Sequence, residues 1–120
     1  MSKRAIIIGQ DRDYCYVLRE FLALREMYVT VVLNYKEGLD RLFYEQPDLT
    51  IFESSGPEPV RACADAIRQS NEFEIVDFGS GQTVKTGKKP VVFFEDKSRI
   101  NSLFDFLKSG FSQPQPEQAP

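Results

Sequence analysis

Residues 4–13 read Arg4-Ala5-Ile6-Ile7-Ile8-Gly9-Gln10-Asp11-Arg12-Asp13. A short apolar run of mostly β-branched residues follows two basic residues and ends at a glycine. Such a run, with no polar alternation, is the pattern of a strand covered on both faces, as in a parallel sheet. Asp11 or Asp13 then supplies an N-cap. Beyond it Val17, Leu18, Phe21 and Leu22 recur at helical spacing, with Arg19, Glu20 and Arg25 on the other side. The opening is therefore strand, tight turn, amphipathic helix.

The same unit repeats. Tyr28-Val29-Thr30-Val31-Val32-Leu33 is a second strand, and Asn34 with Glu37 has the spacing of a capping box. The helix they begin carries Leu39, Leu42 and Phe43 and stops before Pro47, because a residue preceding proline resists helical geometry. Leu49-Thr50-Ile51-Phe52 is a third strand ending at Glu53. After a loop at Ser54-Ser55-Gly56-Pro57, with Pro59 in the first helical turn, Val60, Cys63, Ala64 and Ile67 form a third apolar stripe. This βαβαβα pattern with short connections predicts an α/β fold with a doubly wound parallel sheet. Right-handed crossovers place every strand-to-helix loop at the carboxyl edge, where such folds keep their sites.

The second half is less regular. Phe73-Glu74-Ile75-Val76-Asp77-Phe78 and Pro90-Val91-Val92-Phe93-Phe94 read as strands four and five. Residues 79–89 carry no helical stripe, so a loop or hairpin is expected where a fourth helix would alternate. Ile100, Leu103, Phe104 and Leu107 mark a last helix, ended by Gly110. Residues 1–111 are read as one domain. Residues 112–120, rich in Pro and Gln, are read as a disordered tail or a linker.

Composition narrows the function. The 120 residues hold 15 basic and 18 acidic side chains, for a net charge of -3, which argues against an electrostatically driven nucleic-acid binder. The chain has no His, so His-based nucleophile activation, His metal ligation and a His pH switch are all excluded. Cys15 and Cys63 form neither a zinc pattern nor a Cys-x-x-Cys pair, and both fall on apolar helix faces. Buried reduced thiols and a cytoplasmic location are expected. No apolar run approaches transmembrane length, so no membrane insertion is expected.

Residues 4–13, followed by Val17-Leu18-Arg19-Glu20-Phe21-Leu22, resemble the opening of a response-regulator receiver domain. Gln46-Pro47-Asp48-Leu49-Thr50-Ile51-Phe52-Glu53 resembles the segment leading into that family's phospho-accepting Asp. The resemblance implies a flavodoxin-like architecture of five parallel strands. It also implies a site in which an acidic pair and the acceptor Asp hold Mg²⁺, while a Thr or Ser and a Lys bind the phosphoryl oxygens. Carried over by position, the acidic pair falls on Gly9 and Gln10, with Asp11 one step beyond. The acceptor falls on Glu53 and the Lys on Lys97; Ser80 is the late candidate for the Thr/Ser position. The implied protein is a pseudo-receiver: a non-enzymatic, non-phosphorylatable interaction module in bacterial signalling, without metal or cofactor.

Two readings stand for Glu53. In one it pairs with Lys97 and holds an active-like state. In the other, which is preferred, it is a solvated carboxylate at a strand end, since exposed ion pairs contribute only about 0–1 kcal/mol. Helix capping likewise accounts for Asp11 and Asp13 without a metal. The expected interaction surface is aromatic: Phe94, Phe104, Phe106 and Phe111 gather late in the chain. Phe106 lies off the last apolar stripe and Phe111 beyond the helix end. A protein partner, or a homodimer through the last strand and helix, would use it.

Two alternatives are an atypical phosphorylatable receiver using Asp11, and a nucleotide or small-molecule binder using residues 79–89. Gly81 to Lys89 is not a P-loop, however. Five residues separate its glycines, no Ser or Thr follows Lys88, and it leads into a strand rather than a helix. Flavin binding is disfavoured because Asp11 and Asp13 stand where a phosphate would lie. Ser54-Ser55 lacks the nucleophile-elbow pattern.

Overall fold

Arg4–Gly9 forms β1, and all its residues after Arg4 are buried. It is the second strand of a five-stranded sheet seen in a computed structural model that describes residues 3–53, 57–76, 87–94 and 97–108. The remaining elements are α1 (Arg12–Ala23), β2 (Tyr28–Val32), α2 (Tyr35–Glu45), β3 (Leu49–Glu53), α3 (Pro57–Arg68), β4 (Phe73–Val76), β5 (Lys89–Phe94) and α4 (Ile100–Lys108). A 3-10 turn, Lys97–Arg99, leads into α4. Every strand pairing is parallel. The α/β class and the five-stranded parallel sheet agree with the pattern in the sequence. No helix among the described residues is long and apolar enough to cross a membrane.

The helix boundaries follow local chemistry. Asp11 caps α1, its Oδ1 accepting from the Tyr14 N–H at 3.1 Å. Asn34 caps α2, its Oδ1 accepting from the Glu37 N–H at 2.8 Å. Each cap satisfies an amide that the helix itself leaves without a partner. α2 ends with Gln46 in the left-handed region at φ 50°, immediately before Pro47. α3 starts at Pro57, two residues ahead of the expected Pro59 turn, a position suited to proline's fixed φ and missing N–H.

Alternate residues of the central strands feed two cores. Ala5, Ile7, Leu49, Ile51, Val92 and Phe94 meet Leu18 and Leu22 of α1 and Leu103 and Leu107 of α4. Ile6, Ile8, Phe52 and Val91 meet Tyr35 and Leu42 of α2 and Cys63 and Ile67 of α3. Continuous apolar runs are needed because both faces are covered. Phe94 belongs to the first core and is 2% exposed, so it is not the surface residue expected from the sequence. Phe106 is half-buried and packs against that same core. Phe104 is half-buried and stacks on Phe21 of α1, ring centroids 4.1 Å apart. Phe111, Gly110 and residues 112–120 lie outside the described residues.

The sheet order is β2-β1-β3-β5-β4. It keeps the β2-β1-β3 half of the flavodoxin-like order 2-1-3-4-5 and exchanges the last two strands. β5 inserts beside β3, and β4 takes the edge. Burial explains the choice: β5 is the longer and wholly uncharged after Lys89, whereas β4 has four residues and carries Glu74, which suits an edge. β4 and β5 pair in parallel, Phe73 opposite Lys89 and Val76 opposite Val92. The expected loop or hairpin in place of a fourth helix concerns residues 79–89, of which 79–86, Ser80 among them, lie outside those described, as do residues 77 and 78 at the end of the expected fourth strand.

Candidate functional site

From β1 the chain moves to β2 on one side, then returns past β1 to β3 on the other. The reversal leaves a crevice beyond the carboxyl ends of β1 and β3, the place where open α/β sheets hold their sites. Gly9 and Glu53 are paired across that end of the sheet. Gln10 and Asp11 follow Gly9, and Lys97 follows β5, which lies directly beside β3. The fold therefore gathers Gly9, Gln10, Asp11, Glu53 and Lys97, which the sequence spreads over nearly the whole chain.

Glu53 is fully buried, at 0% exposure, which overturns the expected solvated carboxylate. Its side chain turns inward over the end of β1. Oε1 accepts from the backbone N–H of Gln10 at 3.2 Å and of Asp11 at 3.1 Å. These amides lie at the amino end of α1, where the helix dipole also favours negative charge. Only glycine at position 9 leaves room. A Cβ there would stand 2.8 Å from both the Cβ and the carbonyl oxygen of Glu53. The Glu53 carbonyl in turn accepts from the Tyr35 hydroxyl at 2.8 Å, tying β3 to the start of α2.

Lys97 supplies the counter-charge. Its Nζ donates to Asp11 Oδ2 at 2.5 Å and lies 3.7 Å from Glu53 Oε2. Among the described residues Oε2 has no hydrogen-bond partner, so the nearby ammonium is what offsets its charge. The ammonium also sits 4.5 Å from the centroid of Tyr14, a cation–π distance. Tyr14 stacks on Phe94 with ring planes 9° apart, which fixes the floor beneath Lys97. The hydrogen bond from Lys97 holds the Asp11 carboxyl below its ordinary range, helped by the Tyr14 amide. The same bond raises the Lys97 ammonium above its ordinary range. Burial pushes the Cys15 thiol up to about 12, with Glu53 and Asp11 adding to the effect.

Asp11 thus has two jobs, capping α1 through one oxygen and binding Lys97 through the other. Tyr14 and Tyr35 complete the site, and the sequence reading did not single them out. Tyr14 was traceable as a residue one helical turn past the Asp11 cap. Tyr35 follows its own cap, Asn34, but nothing in the sequence points its hydroxyl at β3.

The residues present do not fit a divalent cation. Hard cations need several free oxygen ligands. Here Gly9 and Gln10 bring no carboxylate to the turn after β1, and the two nearby carboxylates, Asp11 and Glu53, already bracket the Lys97 ammonium. Among the described residues no cluster of three or more His, Cys, Asp or Glu could hold a metal. No protein-family model matches the chain, and no curated protein matches it.

Proposed function

We propose that this chain is a receiver-like interaction module of bacterial signalling whose phosphoryl chemistry has been replaced by an internal ion cluster. One observation carries the reading. The Glu53 carboxylate fills the turn after β1, and Lys97 stands between it and Asp11. The turn amides already hold an anion, and the cluster already holds a cation. A phosphodonor would meet no free Asp at the end of β3, and a metal would have to displace a bonded ammonium. The position of Glu53 at the end of the third strand, and of Lys97 after the fifth, also supports a flavodoxin-like ancestry in which the last two strands have exchanged. The module acts through protein contacts and not through turnover.

Intact-mass measurement after incubation with Mg²⁺ and a small phosphodonor tests this. The mass is expected to stay unchanged. A gain of one phosphoryl group, abolished by Asp11→Asn, would overturn the reading in favour of an atypical phosphorylatable receiver.

A further inference from the structure

β2 is an edge of the sheet, paired only with β1 among the described residues. The Tyr28 N–H donates to the Lys3 carbonyl at 2.9 Å, so Tyr28, Thr30 and Val32 turn their backbone groups toward β1. In a parallel pair the alternate residues turn theirs away. Val29 and Val31 therefore present N–H and C=O outward, with no strand beside them among the described residues. Sheet edges are commonly blunted by charge, proline or a bulge. β4, the other edge, carries Glu74. β2 reads Tyr28-Val29-Thr30-Val31-Val32 in unbroken register and has none of these devices.

On one face of this edge lies α1, which packs on β1 and β2. Tyr14 and Phe21 of α1 stack on Phe94 of β5 and Phe104 of α4. Helical spacing puts Arg12, Tyr16 and Arg19 on the opposite flank, above the free side of β2. Both guanidiniums lie over the Tyr16 ring, at 5.9 and 5.2 Å from its centroid. They stand about 10 Å apart along the helix. Glu20 accepts from Arg19 at 2.9 Å, but an exposed pair of this kind contributes little and leaves Arg19 its other N–H donors. On the opposite face Tyr28 and Thr30 border a cavity of about 240 Å³, lined also by Arg4, Ile6, Glu45 and Pro47. The Glu45 carboxylate is already neutralised by Arg41 at 2.7 Å.

We propose that β2 takes up one further strand, an extended segment of a protein partner in which acidic residues alternate with apolar ones. Its backbone pairs with Val29 and Val31. Its acidic side chains, on the α1 face, meet Arg12 and Arg19. Its apolar side chains, on the other face, enter the cavity over Ile6 and Pro47. Strand addition of this kind takes affinity from main-chain bonds and specificity from the pockets that alternate side chains fill. Charge argues for a partner's strand and against a second copy. A twofold pairing of β2 with itself would set the Arg12–Arg19 flank against the same flank of its mate. The inference deepens the interaction-module reading above by naming the partner's chemistry; it rests on that reading and is independent of the ion cluster.

Amide hydrogen exchange read by NMR decides it. In the free chain Val29 and Val31 are expected to exchange much faster than Thr30 and Val32. A blocked hexapeptide in which glutamate alternates with valine and tyrosine is expected to slow Val29 and Val31 severalfold. The same peptide with lysine in place of glutamate is expected to leave them unchanged. Arg12→Glu with Arg19→Glu is expected to weaken the glutamate peptide at least about tenfold and to reverse the preference between the two, with the circular dichroism unchanged. Val31→Pro, which removes an outward N–H and no bond to β1, is expected to weaken binding as well. Val29 and Val31 amides indifferent to the glutamate peptide, or a peptide bound equally whichever charge it carries, overturn the proposal. So does slow exchange of both amides in the free chain; slowing that grows with protein concentration would mark a second copy as the occupant. The phosphodonor mass test does not involve this edge, so the two readings fail separately.

Discussion

Replacing Gly9 with alanine adds one methyl group at the most crowded point of the site. Gly9 has an ordinary backbone φ, so the substitution carries no conformational strain of its own. The added Cβ would stand 2.8 Å from the Glu53 Cβ and carbonyl oxygen, and closer still to Oε1, where about 3.5 Å is comfortable. The carbonyl cannot retreat easily, because β1–β3 pairing and the Tyr35 hydroxyl hold it. The side chain must therefore move, and it loses one or both bonds from Gln10 and Asp11. Overpacking costs about 1–3 kcal/mol. A lost hydrogen bond to a charged group costs about 1.5–3 kcal/mol. Reduced freedom of the unfolded chain returns about 0.4–1 kcal/mol. The expected loss is about 3 kcal/mol, read by urea unfolding as a fall in midpoint of about 1–3 M. In a Glu53→Ala background the carboxylate is gone, and the cost should shrink by at least about 1 kcal/mol. A loss below about 0.5 kcal/mol, or the same loss in both backgrounds, would refute the account of why glycine stands there.

Three further outcomes are expected. The depressed Asp11 carboxyl contributes stability that is present above the ordinary carboxylate range and lost as pH falls through its folded value, so the urea midpoint should drop below about pH 4. The raised Lys97 contributes stability that is present below the ordinary lysine range and lost as pH rises through its folded value. The acid-side drop should be smaller in Asp11→Asn, and an unchanged profile would remove Asp11 from the cluster. Glu53→Gln keeps an acceptor for the two turn amides but removes the charge facing Lys97. Urea unfolding should show a loss of about 1–3 kcal/mol, and a neutral result would mean the ammonium does not compensate Glu53. Cys15 and Cys63 are free and buried, and both thiols are pushed up by burial. They should react with a thiol reagent near neutral pH only when urea unfolds the chain; prompt labelling of the folded protein would contradict their placement.

The boundary between what could be read and what could not is physical. Local rules were legible because they act over a few residues: the Asp11 and Asn34 caps, the stop before Pro47, the both-faces-buried runs of β1 and β3. The receiver resemblance, carried over by position, also singled out Gly9, Gln10, Asp11, Glu53 and Lys97, and they meet because loops after parallel strands converge on one edge of the sheet. Exposure was less legible. Phe94 and Val17 are both apolar residues in apolar patterns, and only the packing of α1 and α4 over the sheet buries the first and leaves the second outside. The edge position of β4 left a trace in Glu74, a charge within the strand that suits an edge.

By itself, then, the sequence determined the alternation of strand and helix, the absence of His chemistry and the Gly9-Gln10-Asp11 turn after β1. The tertiary structure decided what that turn accomplishes. Glutamate at a strand end can lie in water or fold inward, and local sequence is indifferent between them. The missing Cβ at Gly9, two amides at the head of α1 and an ammonium arriving from β5 make the inward state possible. Those groups come from separate parts of the chain, and their joint field exists only once the sheet has brought them within a few ångströms of one another.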